Sequence, residues 1–85
     1  MMTFNYSVIA TYENCVLSLQ TMSAEQAIEF LFEHTEAGAE VDIIDNYTGE
    51  VLVSNSLTNT YITEEWTLMI LGWLMQNAWE FESEI

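Results

Sequence analysis

Glu25, Glu29, Glu33 and Glu36 recur at intervals of four, four and three residues. That spacing lines up side chains on one face of an α-helix. A row of this kind can hold cations, or it can stand in for another polyanion. Neighbours four apart are separated by about 6 Å along the helix axis. A nucleic-acid strand carries one phosphate per roughly 3.4 Å of duplex axis, and more widely spaced along the backbone path itself. The helical row can therefore present charges at a spacing that phosphate-binding groups accept. Glu40, Asp42, Asp45 and Glu50 form a second acidic group around a turn, with Glu40, Asp42 and Glu50 on one face by alternation and Asp45 at the turn itself. Two acidic edges of this kind would join into a continuous negative surface.

Other chemistries find less support in the residues. The acids around Asp45 suggest calcium, but the EF-hand loop pattern fails because position 47 is Tyr and the glycine follows Thr48. A single histidine, His34, gives no histidine-based metal set, and it reads as a surface residue on a helix. Cys15 is the one cysteine; it excludes an internal disulfide and reads as a small apolar residue near a turn. There is no glycine-rich phosphate loop. The expectation is a protein that is not an enzyme, with no cofactor and no bound metal.

The balance of charge sets the context for these acids. The chain has 85 residues, 14 Asp plus Glu and no Lys or Arg, for a formal net charge of −14. A chain of average composition would carry roughly ten Lys plus Arg. One-sided charge weakens a fold by self-repulsion, so a compensating gain is expected, and recognition by a strongly positive partner supplies one. Nucleic acids and anionic membranes are excluded as direct partners, since no side-chain cation of fixed charge meets phosphate. The longest apolar run, Trp66 to Met75, is too short to span a bilayer, and no positively charged leader is visible. A cytoplasmic protein is expected. With 51% hydrophobic and 13% aromatic residues, the chain should fold as one small domain over residues 1–85.

The elements that must position the acids follow from pattern. Thr3 to Tyr12 alternates, with Phe4, Tyr6, Val8 and Ala10 on one side, and Cys15 to Gln20 follows a Glu13-Asn14 turn with Leu17 and Leu19 facing in. This is a hairpin. Ser23 and Gln26 form a capping box for a helix to about Ala37, stopped by Gly38, with Ala24, Ala27, Ile28 and Leu31 as its apolar stripe. A second hairpin spans Glu40 to Ser54, with Val41, Ile43, Val51 and Val53 inward, Ile44 and Leu52 outward, and Gly49 at positive φ in the turn. Ser54 to Thr60 reads as a loop. Thr63 caps a second helix running to about Phe81, with Glu80, Glu82 and Glu84 in or beyond its last turn. The sequence thus predicts an α+β fold, ββαββα, with an antiparallel sheet and two helices on one face.

In size, all-acidic charge, element order and lack of catalytic motifs, the chain resembles small phage-encoded anti-defence proteins, the anti-CRISPR and anti-restriction proteins. The resemblance covers the whole chain and carries no residue-by-residue correspondence. It implies an inhibitor in the host-cell cytoplasm. Such an inhibitor would bind the positively charged nucleic-acid surface of a CRISPR effector or a restriction enzyme as a nucleic-acid mimic, through Glu25, Glu29, Glu33, Glu36, Glu40, Asp42, Asp45 and Glu50. The second helix supports a different expectation. It is apolar almost all round, so one stripe faces the sheet and another stays exposed unless a second chain covers it. A homodimer through Trp66, Ile70, Trp73 and Trp79, with the charge serving solubility, is the alternative.

Overall fold

The computed structural model describes residues 4–56 and 59–83, with side chains through Asn77. The elements in chain order are β1 (Tyr6–Thr11), β2 (Val16–Thr21), α1 (Ala24–Glu36), β3 (Glu40–Asp45), β4 (Val51–Asn55), β5 (Thr60–Ile62) and α2 (Glu64–Ser83). The five strands form one sheet in the order β2-β1-β3-β4-β5, every neighbour antiparallel. Both helices pack on the same face. This is the expected α+β architecture with one strand added: β5 lies in and just after the stretch read as loop, too short and too close to a Ser/Asn/Thr-rich segment to show a period.

Register explains the two faces. Val8 sits between Leu19 and Ile43, and Ala10 between Leu17 and Val41. Paired residues share a face, so Tyr6, Val8, Ala10, Leu17, Leu19, Val41, Ile43 and Val53 turn toward the helices. The core forms where these meet Ala27, Ile28, Leu31, Trp66 and Ile70. Tyr6 meets Trp66 edge to face, ring centroids 5.2 Å apart, and Phe32 stacks on Trp73 at 5.0 Å, which joins α2 to the sheet and to α1. The opposite face holds Ser7, Ile9, Thr11, Val16, Ser18, Gln20, Glu40, Asp42, Ile44, Val51, Ser54 and Tyr61, and neither helix covers it.

One assignment within β4 reverses. The ladder steps from Ile43–Val53 to Ile44–Val51, so β4 carries one extra residue there. That residue is Leu52, and it is buried where the sequence pattern placed it outside. Val51 instead pairs with Ile44 on the uncovered face and is exposed. A β-bulge changes the parity of alternation at one point, and alternation alone does not announce it.

The helix ends are built differently. Ser23 caps α1, its Oγ accepting from the Gln26 N–H at 3.2 Å. The reciprocal half of the capping box is relayed through buried Thr21, which accepts from the Ser23 N–H (3.1 Å) and donates to Gln26 Oε1 (2.6 Å). The last residue of β2 and the first turn of α1 are thereby tied together. At the other end Gly38 adopts φ 98°, a left-handed conformation that ends the helix at little cost for glycine. Thr63, expected to cap α2, does not do so with its side chain: Thr63 Oγ1 is buried with no hydrogen-bond partner. Its carbonyl accepts instead from the N–H and the hydroxyl of Thr67 (both 2.9 Å).

Candidate functional site

The acidic row on α1 forms as its spacing dictates. Glu25, Glu29, Glu33 and Glu36 are all exposed, because Ala27, Ile28 and Leu31 claim the opposite side for the core. At 100° per residue the four carboxylates fall within an arc of about 80° and span about 16 Å of axis. With no Lys or Arg anywhere in the chain, the row meets no fixed side-chain cation. Each member repels the next, since like charges at i, i+4 destabilise a helix.

The second acidic group does not extend that row. The alternation that turns Val41 and Ile43 toward α1 turns Glu40 and Asp42 away from it, onto the uncovered face. Glu40 is exposed, at the edge of that face beside Thr11. Asp42 is half-buried between Ile9 and Ser54 and accepts a 2.6 Å hydrogen bond from the Ser54 hydroxyl. Asp45 serves the turn: its Oδ1 accepts from the N–H groups of Tyr47 (2.8 Å) and Thr48 (3.3 Å). Glu50 is exposed, but its carbonyl accepts from the Asp45 N–H at 2.9 Å. That places it opposite Asp45, one step beyond the Ile44–Val51 pair and off the face of Glu40 and Asp42. The expected continuous surface is thus divided by the sheet, with the four helical glutamates on one side and Glu40 and Asp42 on the other.

What adjoins the first member of the helical row, Glu25, on the side of α2 is largely apolar. A shallow cleft between the helices is lined by Ala24, Glu25, Ile28, Met69, Gly72 and Trp73. Beyond it, on the outer side of α2, Leu68, Leu71, Leu74 and Met75 are exposed. Of the residues expected to form a dimer interface, three lie on the inward side. Trp66 and Ile70 are buried in the core at 2% and 8% exposure, Trp73 is half-buried against Phe32, and Trp79 lies outside the described side chains, as do Glu80, Glu82 and Glu84. The large rings take the inward stripe because they bury the most area. Leu68, Leu71 and Met75 stand at i, i+3 and i+7, offset by about 140–200° from Trp66. Once Trp66, Ile70 and Trp73 are set inward, the sequence itself points to these three as the outer stripe.

His34 departs from the surface reading. It is half-buried, its ring 4.1 Å from that of Phe30, and its Nδ1 shares a hydrogen bond with the Tyr12 hydroxyl. The chain's single imidazole thus fastens the C-terminal end of α1 to the end of β1. Cys15 is exposed and free. Among the described residues no three His, Cys, Asp or Glu side chains gather to hold a metal ion, and no helix is long and apolar enough to cross a membrane. Comparison with known proteins returns no matching family model, no matching curated protein and no matching solved structure.

Proposed function

We propose that this protein binds the positively charged nucleic-acid-binding surface of another protein and blocks it, the glutamates of α1 standing in for phosphates. The single observation that carries the reading is the exposed row Glu25, Glu29, Glu33 and Glu36 in a chain that holds no lysine or arginine. Lys and Arg that meet phosphates would meet these carboxylates by the same charge-assisted hydrogen bonds. The apolar side of α2, across a cleft from Glu25, adds contact area that a phosphate backbone lacks. Glu40, Asp42 and Glu50 contribute to the long-range field that steers encounter, and Asp45 keeps its turn. A CRISPR effector or a restriction enzyme in a phage-infected cell is the preferred target, with no catalysis and no cofactor on this side of the complex.

The test is a competition. DNA or RNA should displace the protein from its partner, binding should weaken as salt rises, and Glu29→Lys with Glu33→Lys should abolish inhibition. Inhibition that survives the double reversal would sink the reading. A second reading, a module that assembles with copies of itself, is favoured by the exposed Leu68, Leu71 and Met75 on α2. It predicts no competition by nucleic acid.

A further inference from the structure

β2 ends the sheet on one side, and two backbone hydrogen bonds fix which of its backbone groups face outward. The Tyr12 N–H donates to the Cys15 carbonyl at the hairpin turn (2.8 Å), and the Asn46 N–H donates to the Asn5 carbonyl where β1 meets β3 (3.0 Å). Antiparallel ladders alternate between bonded and non-bonded pairs. Both bonds give the same phase: Ala10–Leu17, Val8–Leu19 and Tyr6–Thr21 are the bonded pairs of β1 with β2. The N–H and C=O groups of Val16, Ser18 and Gln20 therefore point out of the sheet.

Sheet edges are usually defended by charge, proline, a bulge or shortness. The other edge strand, β5, is three residues long. β2 is six residues long, pairs with β1 without a bulge, and holds no charge and no proline. None of the 14 acids lies between Glu13 and Glu25. Val16 and Leu17 are 62% and 43% exposed.

We propose that β2 pairs antiparallel with β2 of a second copy of this chain, with Ser18 on the two-fold axis, making one continuous sheet from two domains. The outward groups are symmetric about Ser18. Ser18 pairs with its own copy, and Val16 pairs with Gln20 in both directions, so three bonded pairs exchange about six backbone hydrogen bonds. Leu17 meets the second copy's Leu19 on the helix side, and both copies keep their helices on the same face. Glu40 and Asp42 lie two strands from β2, about 10 Å, and so about 14 Å from the second copy's β2. Both distances exceed the screening length of about 8 Å at physiological salt. Glu13 and Glu25, the acids that flank the strand in the sequence, carry like charge in both copies, so salt strengthens the pairing. The outer side of α2 suits a second copy less well, since Glu64 and Glu65 stand in its first turn.

The experiment is sedimentation of the full chain from micromolar to millimolar concentration, at low and high salt. The expected result is a dimer that grows with concentration and with salt, the reverse of the salt dependence of binding to a basic partner, so the two readings fail separately. Ser18→Pro should weaken the dimer at least tenfold with an unchanged circular dichroism spectrum, because the Ser18 N–H makes no bond to β1 and proline is tolerated at such edge positions. As a variant that leaves the fold alone, Ser18→Cys in a Cys15→Ser background should cross-link to its copy on mild oxidation. Bonded pairs hold their Cα atoms about 5.5 Å apart, within disulfide reach. Tyr61→Cys in the same background, on the β5 edge, should not. A monomer under all conditions, a dimer that survives Ser18→Pro but not Leu71→Glu, or absence of the Ser18→Cys cross-link would each overturn the proposal.

Discussion

The two helices lie in one layer on one sheet, yet their outer faces are opposites. α1 buries Ala27, Ile28 and Leu31 and shows water four glutamates. α2 buries Trp66 and Ile70 and shows water Leu68, Leu71 and Met75. In α1 the contrast between apolar and charged residues decides which way the helix turns. In α2 the run from Leu68 to Met75 holds no polar residue, so size decides: the stripe that carries Trp66 and Trp73 goes inward. The ends differ in the same sense. Ser23 satisfies an orphan N–H of α1, while the Thr63 hydroxyl at the start of α2 satisfies none. One helix is oriented by its surface chemistry and capped for it; the other is held by what it buries.

The largest test of that contrast is Trp66→Ala. Truncating a buried tryptophan costs about 3–5 kcal/mol, close to the whole stability of a domain this small. Leu68→Ala, two residues on, should cost under about 0.5 kcal/mol apart from helix propensity. Urea denaturation measures both, and a comparable loss at Leu68 would break the comparison.

Charge reversal on α1 should move two quantities in opposite directions. Glu29→Lys with Glu33→Lys turns the 25–29 and 33–36 repulsions into attractions and leaves one like-charge pair. At about 0.2–0.5 kcal/mol per interaction the fold should gain about 1 kcal/mol, read as a higher urea midpoint, while binding to a basic partner is lost. A fold weakened by the change would mean that the acids are locally compensated.

The caps provide a matched pair. Ser23→Ala should cost about 1 kcal/mol, whereas Thr63→Val should be neutral or stabilising, since it removes a buried hydroxyl with no partner. Equal losses at the two positions would erase the difference between the helix starts. The smallest effect is expected on the outer side of α2: Leu71→Glu should shift stability by no more than about 0.5 kcal/mol. It should also raise the sensitivity of the melting temperature to salt, because it adds a fifteenth acid to a chain that has 14.

Where the sequence reading held, local chemistry and tertiary demand agree. The alternation of Tyr6, Val8 and Ala10, the Ser23 cap and the Gly38 stop each specify their element alone. The acidic row of α1 was legible for the same reason, because helical spacing gathers it without help from other elements. The union of that row with Glu40 and Asp42 was not, although the clue was present: a strand that points Val41 and Ile43 at a helix must point its acids away. β5 and the inward turn of Leu52 escaped because three residues show no period and a bulge hides within one. The exposed stripe of α2 escaped because the run Leu68–Met75, with no polar residue in it, does not say which side is outside.

The extra residue in β4 has a consequence for how the chain can change length. Removing one residue from a strand ordinarily turns every following side chain over to the other face. Leu52 is an exception by position. Without it, Val53 would follow Val51 directly, Ile43 and Ile44 would keep those same two partners, and no other side chain would change sides. The deletion would remove one buried leucine, and also the carbonyl that receives the Thr63 N–H at 3.0 Å, while leaving the sheet right side out. β4 therefore tolerates a shift of reading by one residue at this point and at no other along its length.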